Sequence, residues 1–311
     1  MASRIRCSVG RYVAGVLLLV AGLVSNALLA AETFTAESLA EHLWLVTGPS
    51  GNTLIASDSD GLILIEGVPA ELADEYLAFV RRTAGDAPIK ALVNTHWHPE
   101  SAGLNASLRE QGIDVIAHFN TMQWLGATIR RRGDEILHKP VTAASLPNRT
   151  FHDTLSLPFR GATIELGWLV QAHTDGDVYA WFPAHKVLYT GPAVRSDAWS
   201  AVDETTNGWI GGLMDGYDKL AGFTAADVRI VPASGAVLDK AGFDAQMALY
   251  KDLMAEMVNL LRQSRSADEV VAANPAVGLK PEWGAPDEFL DAGFRSFYGH
   301  LRDTRHVGQM P

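Results

Sequence analysis

Between residues 42 and 67 the chain reads HLWLVTG, NTLIAS and LILIEG, three short apolar runs separated by nothing longer than Pro-Ser-Gly or Asp-Ser-Asp-Gly. Runs of six or seven residues rich in Leu, Ile and Val, bounded by Gly and Asp-Gly, are the pattern of antiparallel strands joined by tight turns. They exclude an all-helical fold and require a sheet. A single amphipathic segment follows, AELADEYLAFVRRTAG, with Leu72, Tyr76, Leu77 and Val80 at helical spacing and Gly85 at its end. The next strand, IKALVN, stops at two histidines, His96 and His98, with a carboxylate, Glu100, just beyond.

Further on, SLREQG reads as a helix, DVIAH as a strand, and the Trp- and Arg-containing stretch to about residue 150 as a linker. Strands resume with TLSLPFRGATIELGWLVQAH, DVYAWFP and KVLYTG. A second helix runs through GWIGGLMDGYDKLAGF, and VRIVPASG makes a last strand. From Phe243 the pattern is helical: Phe243, Met247, Tyr250, Met254, Met257 and Leu261 recur three or four apart, a stripe that reads as core packing, and PDEFLDAGFRSFYGHL repeats it. LVNTH ending at His96 and LVQAH ending at His173 echo one another, which places histidines at two strand ends, a common position for a site in a sheet-based enzyme.

The first 31 residues differ in kind. Arg4, Arg6 and Arg11 precede YVAGVLLLVAGLV and then SNALLAA, the basic, apolar and small-residue order of a secretory signal peptide cleaved near Ala30 or Ala31. The expected organisation is a signal at 1–31, a main domain at 32–240 and a helical extension at 241–311 packed on the same domain, in a protein that is periplasmic or secreted. Of 25 basic side chains three lie in the signal, so 22 remain against 36 acidic ones, a charge of −14. Nucleic acid and anionic membrane surfaces are poor partners for such a chain, and no stable membrane insertion is expected after cleavage. The one cysteine, Cys7, lies in the signal, so disulfides, thiolate-bound zinc and cysteine nucleophiles are excluded from the remainder. Any metal must be held by His, Asp or Glu.

In extended chain, residues two apart face the same side, so His96 and His98 can meet one ion while Trp97 points away. A bare His-x-His is equally compatible with a hydrogen-bonded structural pair. His173, beyond a second strand within AHTDGD, supplies a third imidazole. Asp175 and Asp177 read as solvated acids of an Asp-Gly turn, with outer partners of His173 as the alternative. Arg130, Arg131 and Arg132 read as a solvated basic face, and Trp124, Trp199 and Trp209 as core or rim packing.

NTHWHPESAGLN resembles the His-x-His-x-Asp-His loop of the metallo-β-lactamase superfamily. QAHTDGDVYAWFPAHKVLYTG resembles the segment that supplies that family's third histidine and runs on toward its bridging aspartate. DGLILIEG resembles its early strand, and IVPASGAV the strand carrying the last histidine ligand. The resemblance covers about residues 40–240. It implies an α/β fold, an αββα sandwich of two mixed β-sheets flanked by helices, here with a C-terminal helical extension. It implies that His96, His98 and His173 form the first metal site. The second site departs: Glu100 stands for Asp, Ser101 for His, Pro192 for the bridging Asp and Ser234 for the last His, while Glu66 replaces the early Asp. Asp197 and Asp203 are the remaining acids that could assist a second ion.

These substitutions leave three imidazoles and a water around one ion, with zinc favoured over iron. Such a set lowers the pKa of the water from about 15.7 toward 7 and supplies hydroxide at neutral pH. Glu100 is placed to take or orient that proton, as the catalytic residue; the other reading of it is a structural carboxylate that holds the loop. The leading reading is an exported metallo-hydrolase acting on an ester, amide, lactam or similar bond of a small molecule. The competing readings are a non-catalytic binding protein on the same fold and, third, an iron oxygenase. The sequence does not name the substrate or the oligomeric state.

Overall fold

The structure is a computed structural model; it describes residues 33–130 and 137–307, with side chains to residue 300. The segment read as a signal peptide, and Arg131 and Arg132, lie outside the described residues. The described residues from Thr33 onward form one compact unit. No described helix is long and apolar enough to cross a membrane.

The first sheet has seven strands in sequence order: β1 (Thr35–Ala40), β2 (Leu43–Gly48), β3 (Gly51–Asp58), β4 (Gly61–Ile65), β5 (Ile89–Val93), β6 (Asp114–His118) and β7 (Arg149–Phe151). β1 to β4 pair antiparallel, as their tight turns dictate, and β4 to β7 pair parallel. The helical crossovers are α1 (Ala73–Ala84), α2 (Pro99–Ala102), α3 (Asn105–Glu110) and α4 (Phe119–Leu125). The second sheet has five strands, β8 (Thr154–Phe159), β9 (Ala162–Leu169), β10 (Asp177–Phe182), β11 (Val187–Tyr189) and β12 (Arg229–Val231). The β8 to β11 neighbours are antiparallel, and β12 joins parallel to β11 through α5 (Ile210–Ala221). The chain closes with α6 (Lys240–Arg262), α7 (Ala267–Ala273) and α8 (Asp287–Val307).

Alternation along each strand sorts the side chains into layers. Ile63 and Ile65 join Val178, Ala180 and Phe182 in the core between the sheets. Leu62 and Leu64 turn the other way, onto Tyr76, Leu77 and Val80 of α1. On the outer face of the second sheet, Tyr179 and Leu188 meet Leu213 and Tyr217 of α5, Tyr250 of α6 and Phe294 of α8. This is the expected sandwich of two mixed sheets between helical layers.

One expectation needs correction. The stretch after DVIAH is not all linker, because α4 starts at once, with His118 Nδ1 accepting from Asn120 N at 3.2 Å as its N-cap. Histidine is not among the usual capping residues, so the helix start carried no recognised signal.

Candidate metal centre

His96 and His98 follow the C-terminal end of β5, and His173 follows β9, so each sheet delivers its histidines to the same end of the sandwich. All three side chains are buried, and their ring centroids stand 4.9 to 5.2 Å apart. One ligand atom from each ring lies within 4.8 Å of the others, the only such group of acids or histidines found among the described residues.

Hydrogen bonds decide which nitrogen of each ring faces inward. His98 Nε2 donates to Asp203 Oδ2 at 2.9 Å, leaving Nδ1 for the centre. His173 Nδ1 donates to Ala201 O at 3.1 Å, leaving Nε2. His96 Nδ1 faces Thr95 Oγ1 at 3.3 Å and Glu66 Oε2 at 3.8 Å, leaving Nε2. His98 Nδ1 and His173 Nε2 then stand 3.0 Å apart with lone pairs facing each other, which a shared cation relieves. A tetrahedral site with bonds of about 2.0–2.1 Å has ligand–ligand edges of about 3.3 Å, so the donor set fits a single ion. Burial, the largest influence, lowers the pKa of both His98 and His173, so both rings are neutral, the form that ligates; burial acts the same way on His96, but Glu100 and Glu66 outweigh it and raise its pKa, so this ring gives up a proton to ligate.

Glu100 lies at the mouth of the centre, its side chain 43% exposed. Oε1 is 3.3 Å from His96 Nε2 and 3.8 Å from His98 Nδ1. Burial opposes its charge, but the hydrogen bond and charge of His96 prevail and hold the carboxyl well below its ordinary range. Glu100 is therefore ionised at neutral pH. It opens on a cleft of about 460 Å³ whose walls include Pro49, Pro69, Leu72, Pro192, Ala201 and Ala233, with Arg195 and Ser234 on one side.

Asp175 and Asp177 are not solvated. Asp175 is 8% exposed and Asp177 fully buried, because the loop after His173 folds inward against α4 and the 203–208 turn. Asp177 Oδ2 accepts from His173 N at 2.5 Å and Thr174 N at 2.9 Å, and Oδ1 from Thr174 Oγ1 at 2.5 Å. Burial pushes its carboxyl up to about 7, against the pull of these donors and of His96. Asp175 accepts from Trp124 Nε1 at 2.6 Å and Asn207 Nδ2 at 2.7 Å. The turn packs so closely that a Cβ at Gly208 would stand 2.0 Å from His173 O. Of the tryptophans, Trp199 is a core residue and Trp209 stacks on His300.

The positions that depart from the family pattern serve other ends. Ser101 Oγ accepts from Thr95 N at 3.0 Å and His96 N at 3.3 Å, holding the histidine loop. Ser234 Oγ donates to Asp197 Oδ1 at 2.6 Å and accepts from Arg195 Nε at 3.0 Å. Pro192 is a buried wall of the cleft. Asp203, considered as a donor to a second ion, holds His98 instead. Sequence reasoning missed this role, since 105 residues separate the two and no motif links them.

The fold and the centre define a two-sheet α/β protein that gathers three imidazoles at one end of its sandwich. The profile of the metallo-beta-lactamase superfamily matches residues 46–231, more than half of the chain, and the chain belongs to that superfamily. Solved relatives include a metallo-beta-lactamase from Pontibacter korlensis, 19% identical with a TM-score of 0.58, covering 70% of this chain and 99% of that one. DIM-1 metallo-beta-lactamase is 20% identical with a TM-score of 0.57, covering 71% and 98%. TMB-1 is 17% identical with a TM-score of 0.55, covering 71% and 98%. Likeness at these identities establishes the fold alone. No curated protein matches the chain by sequence.

Proposed function

We propose that this chain is an exported metallo-hydrolase with one zinc ion per chain, cleaving an ester, amide, lactam or similar bond in a small molecule. The observation that carries the reading is the pairing of the rings: in His98 and His173 one nitrogen is engaged by a neighbour and the other turns inward, toward His96 Nε2, which faces the same centre beside Glu100. Outer partners of this kind fix the tautomer and orientation of metal-binding imidazoles. A divalent ion held there supplies Lewis acidity and lowers the pKa of a water toward 7.

The chain's own groups supply the rest. Glu100, ionised and open to the cleft, accepts the proton of the attacking water as the bond to the substrate carbonyl forms, then returns it to the departing oxygen or nitrogen. Pro49, Pro69, Leu72 and Pro192 give the cleft apolar walls that orient a substrate and limit water. Arg195, the only lysine or arginine among the described residues lining the cleft, offers a contact for a substrate's negative group. Export rests on the basic, apolar and small-residue order of residues 1–31.

The test is elemental analysis of protein purified without chelator, loaded with excess zinc and desalted, followed by turnover on chromogenic esters and lactams. The expected result is close to one zinc per chain, falling to near zero in His98→Ala and in His173→Ala, with measurable hydrolysis by the parent protein. Two stable zinc ions per chain would refute the single-ion reading. A folded, zinc-bound chain that hydrolyses nothing on the panel favours a binding protein, and native iron with oxygen-dependent turnover favours the oxygenase.

A further inference from the structure

Two of the bonds that orient the histidines come from one loop, residues 195–203. Ala201 O receives His173 Nδ1–H, and Asp203 Oδ2 receives His98 Nε2–H. The same loop carries Arg195 and Ala201 to the cleft wall. Its near end is tied to the second sheet's loops by Ser196 N donating to Ser234 O at 2.9 Å, and its far end by Asp203 N donating to His173 O at 2.8 Å.

The near end and the middle of the loop are also held by a different part of the molecule. Gln246 Nε2 of α6 donates to Arg195 O at 2.6 Å. Trp283 Nε1 donates to Ser196 O at 3.0 Å. Ser200 N donates to Tyr250 OH at 2.7 Å, and in return Trp199 Nε1 donates to Gly284 O at 3.1 Å. The Trp199 ring lies stacked on Phe289 of α8 at 5.7 Å and edge-on to Trp283 at 5.3 Å. Gln246, Tyr250, Trp283 and Phe289 are all buried. All lie beyond residue 231, where the superfamily match ends. The solved relatives are matched over 97–99% of their own length by only 70–71% of this chain.

We infer that the C-terminal segment is a positioning part of the metal centre, with Tyr250 and Trp283 holding the 195–203 loop where Ala201 and Asp203 orient His173 and His98. The inference rests on the reading of the three histidines as a metal site. Ring orientation follows the outer hydrogen bond, and direct loss of such a partner weakens metal binding about 10- to 100-fold. Tyr250 and Trp283 act one step further out, through the backbone, so the expected effect is smaller, about 3- to 10-fold.

Tyr250→Phe removes only the hydroxyl that accepts from Ser200 N, and Trp283→Phe only the indole N–H on Ser196 O. Both keep an aromatic ring in place. Val258→Ala, on the same helix and packed against the same core, is the control for general destabilisation. The measurements are zinc affinity by competition with a chromophoric chelator, the visible spectrum of the cobalt-substituted protein, and hydrogen exchange of the 195–203 amides in metal-free protein. Tyr250→Phe and Trp283→Phe are expected to weaken zinc binding about 3- to 10-fold, shift the cobalt bands and speed exchange at Ser200. Val258→Ala is expected to lower the melting temperature with zinc affinity unchanged. Parent-like zinc affinity and cobalt bands in both loop-contact variants would overturn the inference while leaving the metal site standing. A parent chain that takes up no zinc would overturn the metal site, and this inference with it.

Discussion

Asp177 offers the sharpest test of how the His173 loop is built. It is fully buried, and three donors converge on it: two backbone amides on Oδ2 and the Thr174 hydroxyl on Oδ1. Asp177→Ala leaves the amides of His173 and Thr174 without an acceptor in a place water does not reach. A buried donor left unsatisfied costs about 1–3 kcal/mol, and the hydroxyl can turn toward another partner, so two amides set the expected loss at about 3–4 kcal/mol. Asp177→Asn is different. Its carbonyl oxygen keeps both amides and its NH₂ meets a hydroxyl able to accept, so a loss of about 1 kcal/mol or less is expected. Urea unfolding of metal-free protein at pH 7.5 reads both. With a slope of about 3 kcal/mol/M, the Ala variant's midpoint falls by about 1 M and the Asn variant's barely moves. An Asn variant as damaged as the Ala variant would refute the argument, because the carboxylate's charge would then matter more than its acceptor count.

Glu100→Gln should keep the zinc and the fold and lose about 10²- to 10⁴-fold in turnover, the usual contribution of a general base; unchanged turnover would make Glu100 structural, and lost zinc would make it a ligand. His118, packed flat on Trp168 with Nε2–H on His152 O, is lowered by burial from its ordinary 6.5 to about 4. Between these values the unfolded chain binds the proton and the folded chain does not, so this group makes stability fall as pH drops from 6.5 to 4. With partial solvent screening the effect is about 1–2 kcal/mol, and His118→Asn should flatten the urea-midpoint profile in that window. Intact-mass analysis of protein from the producing cell should find a chain beginning near residue 31 or 32; a soluble cytoplasmic form retaining Met1 would count against export.

What the sequence makes legible is local. The strand runs, α1, α5, α6 and α8 follow from periodicity and turn residues, and His96 and His98 from their place after a strand. α7 carried a readable signal, the Ser266 and Glu269 capping box, masked by the polar residues around it. The outer partners were not legible. Asp203 and Ala201 reach the histidines through loop geometry that no spacing encodes, and Gln246, Tyr250 and Trp283 look like any other core residues of a helical tail. The inward Asp177 was misread because an Asp-Gly turn is most often solvated. The three donors that hold it are backbone and hydroxyl groups, which leave no pattern in a sequence.

The charges around the centre support the proposed single ion over a pair. Glu66, Glu100, Asp177 and Asp203 stand close to three imidazoles, and each has its own partners: Thr95 and Gly67 on Glu66, His96 on Glu100, the 173–174 amides on Asp177, His98 and Thr206 on Asp203. One divalent cation placed among the ring nitrogens offsets part of this acidity and leaves Glu66, Asp177 and Asp203 on their donors; only Glu100 exchanges its contact with His96 Nε2 for the field of the ion. A second ion on the Ser234 side would have to displace the Ser234 bonds to Arg195 and Asp197, and it would lie beside the Arg195 guanidinium and the first ion's charge. Pro192 contributes no ligand atom there. The side chains on that half of the cleft instead brace the loop that aims His98 and His173. The C-terminal helices brace the same loop from behind. On the proposed reading, the residues at the second-site positions and the C-terminal helices therefore act in the same direction, toward a three-histidine centre whose geometry is set by its surroundings rather than by a neighbouring ion.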